Sequence, residues 1–203
     1  MGLLDNLENQ AVGKVLGGSS GPLASGLLQM IQNQDDLNHA GPGQSDRCRI
    51  DLIPATLPEH LEQVRALFLE YRKSLGFSLC FQSFDEELKN LPGAYAPPSG
   101  RLLLARSADH AAGCIALRKL DTRICEMKRL YVRPDDRGLG LGRMLVERLI
   151  AEARAIGYER MRLDTIASTM KDAIALYRRM GFQEIAPYSS VPIESALWME
   201  LLL

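Results

Sequence analysis

The run CEMKRLYVRPDDRGLGLGRMLVERLIAEARAIG, from Cys125 to Gly157, leaves a chain few ways to fold around it. Leu130, Tyr131 and Val132 have strand character, and Pro134-Asp135-Asp136 closes the strand because proline cannot continue a ladder. Arg137-Gly138-Leu139-Gly140-Leu141-Gly142-Arg143 follows, and Met144, Leu145, Leu149, Ile150 and Ala153 then recur at helical spacing. The unit reads as strand, glycine loop, helix. The first amides of a helix have no internal partner, the helix dipole adds positive potential, and glycines admit an anion close to the backbone. Such a junction suits a diphosphate. A G-x-G-x-x-G dinucleotide loop is excluded: its third glycine would fall on Arg143 or on Leu145. A G-K-[ST] ending is missing too.

A second run, RLDTIASTMKDAIALYRRMGFQEI from Arg162 to Ile185, sharpens the reading. The pattern V-x-P-x-x-R-G-x-G-x-G-x-x-L (Val132 to Leu145), followed by A-x-x-L-Y-x-x-x-G-F (Ala173 to Phe182), resembles the GNAT superfamily of acyl-CoA-dependent N-acyltransferases. The resemblance covers residues 48–203. It implies an α/β (α+β) fold with a mixed, mostly antiparallel sheet, a splayed parallel pair and flanking helices. It implies that Arg137 and the loop amides from Gly138 to Arg143 hold the pyrophosphate of acetyl-CoA, the co-substrate. Leu130, Tyr131 and Val132 match the strand that pairs with the pantetheine arm, and Tyr177 matches the tyrosine that protonates the departing thiolate. Many relatives carry asparagine where this chain has Met170, so the grip on the pantetheine arm differs there.

Amide formation from a thioester needs a neutral amine, and a carboxylate is the usual means of deprotonating it. Glu126, at the start of the strand, and Asp164, near the end of the strand Met161–Thr165, are the candidates. Each has an alternative as an ion-pair member, with Lys128 or Arg129 for Glu126 and Arg162 for Asp164. Strict alternation sets Glu126, Lys128 and Leu130 on one face, unless a bulge of the kind relatives have reverses the parity. Tyr177 has its own alternative, packing between helix and sheet.

The domain opens with a strand, Arg49 to Ile53, ending before Pro54. A helix from Pro58 carries Leu61, Val64, Leu67, Phe68 and Tyr71 at three-four spacing. A second helix spans Asp85 to Leu91. Within the resemblance this helical pair walls the acceptor pocket, making Tyr71, Phe77, Phe81 and Phe84 candidate contacts; the alternative is plain core. Arg101–Arg106 and Ala111–Leu120 form a hairpin whose turn holds His110, read as a solvated histidine. Phe182–Pro187 and Ser195–Leu202 are the last strands, and Tyr188 and Glu194 between them could touch substrate.

Residues 1–34 read as a helical appendage that resembles the start of YidB-like bacterial proteins, and 35–47 as a linker. A hydrophobic content of 46% supports a core, and a net charge of −1 gives no reason to expect nucleic acid or an anionic membrane. Cys48, Cys80, Cys114 and Cys125 show no metal-ligand spacing, nor do the three histidines, so no metal is expected. No run approaches a membrane span of ~20 apolar residues. The expectation is a cytoplasmic N-acetyltransferase, monomer or homodimer, acting on a small-molecule amine or amino acid. Two alternatives stand beside it: a protein acceptor, or an acyl-CoA sensor without turnover.

Overall fold

A computed structural model describes residues 49–75, 84–107, 110–189 and 195–203. The expected appendage and linker, and the candidates Phe77, Phe81 and Glu194, lie outside the described residues. In the described chain, β1 (Asp51–Pro54), β2 (Arg101–Ser107), β3 (His110–Lys119), β4 (Ile124–Val132), β5 (Arg160–Ile166), β6 (Gln183–Ile185) and β7 (Ala196–Leu202) form one sheet. Its order is β1-β2-β3-β4-β5-β7-β6. Every neighbouring pair is antiparallel except β4 and β5. This is the mixed sheet with one parallel pair that the motifs implied.

Helices α1 (Pro58–Ser74), α2 (Phe84–Lys89), α3 (Leu141–Ile156) and α4 (Lys171–Arg179) cover the two faces. Proline starts α1, where its fixed φ suits a helix and no helical hydrogen bond is lost. Val64, Leu67 and Phe68 of α1, with Phe84 and Leu88 of α2, pack on Leu102, Leu104, Cys114 and Ala116. On the other face Leu145, Leu149 and Ala153 of α3 and Tyr177 of α4 pack with Leu103, Ile115, Leu117, Met127 and Leu163. The three-four apolar spacing of α1 and α3 thus becomes two buried stripes, one per face.

Two strand readings need correction. The strand expected to stop before Pro54 includes it, paired with Leu103; β1 is an edge strand, where a proline without N–H is tolerated. Alternation along β4 fails after Lys128. Cys114 pairs with Tyr131 and Ala116 with Lys128, so Arg129 and Leu130 together oppose Ile115. Arg129 has φ 59°, the left-handed turn of a bulge. Cys125 and Met127 face the α3 side, as do Leu130 and Val132, whereas Tyr131 joins the α1 side. Leu130 therefore does not share a face with Glu126 and Lys128.

Candidate active site

β4 and β5 pair only through Ile124–Arg160, Cys125–Met161 and Glu126–Arg162. Beyond that point β4 stays with β3 while β5 stays with β7. The strands part into a cleft of about 1750 Å³. Leu130, Tyr131 and Val132 line it from β4, Asp164 from β5, Met170 from the cap of α4 and Tyr177 from α4 itself. Arg137, Gly138, Gly140, Leu141, Gly142 and Arg143 line its mouth, and Tyr71 closes it from α1. The side chain of Leu139 is not in the lining; the residue is 70% exposed.

The geometry of the glycine loop is one that can receive an anion. Gly138 and Gly140 have φ of 81° and 78°, a conformation that costs side-chain-bearing residues energy and glycine none. Gly140 caps α3, and the first helical bond runs from the Met144 amide to the Gly140 carbonyl at 3.1 Å. None of the amides from Gly138 to Arg143 donates to a protein acceptor among the described residues. Arg137 is held to the end of β4 by its Nε, which donates to the Val132 carbonyl at 3.1 Å. Arg143 pairs with Glu147 one turn on. At the second helix start, the Thr165 hydroxyl donates to the Met170 sulfur at 3.2 Å.

Tyr177 is buried, its ring against Phe182 at 5.8 Å. Among the described residues its hydroxyl has no hydrogen-bond partner. Burial, with Tyr71 and Asp164 adding to it, holds this phenol well above its ordinary value of 10, so it keeps its proton. Tyr71 is pushed up to about 12, chiefly by burial, with Arg129 opposing.

A smaller cavity of about 550 Å³ adjoins the cleft, sharing Lys128, Arg129 and Asp164 with it. Glu126 lines this cavity, is 1% exposed, and has both oxygens engaged. Arg118 Nε donates to Oε2 at 2.5 Å and the Tyr188 hydroxyl donates to Oε1 at 2.9 Å. Lys128 Nζ lies 3.7 Å from Oε1 and donates to Asp164 Oδ1 at 2.5 Å. Asp164 Oδ2 has no partner among the described residues. Of the expected ion pairs, Lys128 with Glu126 is present, whereas Arg129 with Glu126 and Arg162 with Asp164 are replaced by others. Arg118 and Lys128 serve Glu126, Lys128 serves Asp164, Arg129 forks onto Glu87 at 2.9 and 2.6 Å, and Arg162 pairs with Glu200. Phe84 lines neither cavity; it is buried beneath the guanidinium groups of Arg72 and Arg129.

Arg118 was legible in principle, because the β3–β4 hairpin sets it directly opposite Glu126. His110 was not. Its Nε2 lies 3.1 and 2.9 Å from the two oxygens of the buried Asp136, in the turn before the glycine loop. No group of three or more His, Cys, Asp or Glu among the described residues is arranged to hold a metal.

A model of the acetyltransferase (GNAT) family matches residues 61–182. An uncharacterized N-acetyltransferase of Schizosaccharomyces pombe is 40% identical over 154 residues, 75% of this chain and 94% of that protein. The IAA acetyltransferase of Azospirillum brasilense is 39% identical over 108 residues, 52% of this chain and 69% of its own length. Among solved structures, an acetyltransferase from Salmonella typhimurium with acetyl-CoA shares the fold at a TM-score of 0.55 and 20% identity, covering 75% of this chain and 93% of that one. Both motifs fall inside the matched region, and the chain belongs to the GNAT family of acetyltransferases.

Proposed function

We propose that the protein moves an acetyl group from acetyl-CoA to a primary amine of a small molecule or amino acid, by direct attack and without a covalent enzyme intermediate. The observation that carries this reading is the run of amides from Gly138 to Arg143, unpartnered among the described residues, at the mouth of an open parallel pair. Bound acetyl-CoA supplies a thioester-activated acetyl group. The loop amides and Arg137 take the diphosphate, and the free edge of β4 at Leu130, Tyr131 and Val132 offers backbone groups to the pantetheine arm. Met170 packs against that arm in place of an amide side chain.

Tyr177 carries the proton for the departing sulfur. Its raised pKa keeps it protonated, and its hydroxyl is not already committed among the described residues. Asp164 is the better-placed base, because it borders both cavities and has one oxygen without a partner among the described residues. Glu126 orients the network through Arg118, Tyr188 and Lys128. A cavity of about 550 Å³ suits a small acceptor, since small-molecule sites span roughly 300–1,000 Å³. Tyr71 and Tyr188 are proposed acceptor contacts.

Residues 48–203 are proposed as the catalytic domain and the cytoplasm as its compartment; the buried free thiols of Cys114 and Cys125 suit a reducing environment. The test is thiol release from acetyl-CoA with pooled amines, amino acids and polyamines. Release with one pool supports the reading. Binding of acetyl-CoA with no release from any pool overturns it in favour of a protein acceptor or a sensor.

A further inference from the structure

An anion cradle with a carboxylate in its wall is a contradiction that needs a compensating charge. Asp136 is such a carboxylate. It is 7% exposed, lines the cleft, and precedes Arg137 and Gly138 directly in the turn. A buried carboxylate beside a diphosphate opposes it unless a cation balances it. Arg133 feels the Asp136 charge, yet its guanidinium is forked onto Glu70 at 3.0 and 2.7 Å and is already balanced. Arg137 turns its Nε to the Val132 carbonyl. Among the described residues, the side chain in contact with Asp136 is His110, whose Nε2 reaches both oxygens from the start of β3 and whose side chain is 43% exposed.

We infer that His110 is a positioning residue for the acyl-CoA diphosphate: as imidazolium it cancels Asp136 and lets the glycine loop act as a net anion receptor. A histidine can hold Asp136 by a hydrogen bond in its neutral form too, but only the charged form removes the repulsion. The inference rests on the reading of this loop as a diphosphate site. It requires His110 to influence donors that carry a diphosphate and to spare those that do not.

The experiment compares acetyl-CoA with acetyl-pantetheine, which lacks the diphosphate, in the full chain and in three variants. His110→Gln keeps a donor but not the charge, His110→Lys keeps the charge but not the ring, and the third joins His110→Gln to Asp136→Asn. Expected for H110Q is about a ten-fold rise in KM for acetyl-CoA, ~1.4 kcal/mol, with kcat and the KM for acetyl-pantetheine unchanged. H110K and the double variant return the acetyl-CoA KM towards that of the parent. Melting temperatures of all variants show whether folding is affected. Equal KM values for H110Q and parent, an equal rise with both donors, or a double variant no better than H110Q overturn the inference. A parent that binds no CoA by calorimetry overturns the functional reading as well. A parent that binds CoA no more tightly than H110Q does overturns this inference alone.

Discussion

In the proposed mechanism Tyr177, Asp164 and Glu126 carry different burdens, and single substitutions separate them. Tyr177→Phe removes one oxygen from a buried ring that has no hydrogen bond to lose among the described residues, so folding should be spared. A general acid contributes typically 10²–10⁴-fold; we expect kcat to fall by about 10²-fold with CoA affinity unchanged, as steady-state rates and calorimetry would register. Unchanged turnover would remove Tyr177 from the chemistry. Asp164→Asn should likewise lower kcat by about 10²-fold. Glu126→Gln should act differently, since that carboxylate is held by Arg118 and Tyr188. Its signature is a lower melting temperature, with a smaller loss of kcat than for D164N; the reverse ranking would give the base role to Glu126.

At the level of elements, β4 shows how far a sequence can be read. The strand, loop and helix were legible because glycine, proline and apolar spacing are local signals. So was the parallel pair, through the resemblance. What the bulge at Arg129 does was only partly legible: one extra residue decides whether Tyr131 faces α1 or α3, and strict alternation cannot reveal it. The ion pairs were less legible still. Lys128 meets Asp164 across 36 positions and Arg129 meets Glu87 across 42, distances that the sheet order closes and the sequence does not. His110 looked like a turn residue because Asp136 lies 26 positions away. The bulge itself can be tested. Arg129→Gly relieves the left-handed φ but strands Glu87, and losing one partner of a buried pair costs about 3–5 kcal/mol. We expect a net loss of stability by urea unfolding, partly recovered in R129G/E87Q; a more stable R129G would show that backbone strain outweighs the fork.

At the scale of the molecule, three carboxylates among the described residues fasten helices to the sheet or to the residue that follows β4. Glu70 of α1 holds Arg133, Glu87 of α2 holds Arg129, and Glu152 of α3 holds Arg101 of β2. All three titrate below the ordinary value of 4.5. Hydrogen bonds from arginine lead at Glu70 and Glu152, whereas at Glu87 burial pushes upward and Arg129 outweighs it. A carboxyl depressed in the folded state adds stability that is full above its unfolded value and is lost as pH falls through the folded one. Urea midpoints should therefore hold from pH 7 to 5 and drop below about 4.5, more shallowly in Glu87→Gln. A midpoint that stays flat to pH 3 would contradict these pairings.

The brevity of the β4–β5 pairing has a dynamic consequence. Three residue pairs join β1–β4 to β5–β7 within the sheet, and past Glu126 the inner edge of each strand faces open space where a ladder would normally run. The central amides of a sheet are ordinarily its slowest to exchange hydrogen with water. Here the edge of β4 from Lys128 to Val132 is expected to exchange among the fastest of the strand amides, and to slow sharply once the gap is filled.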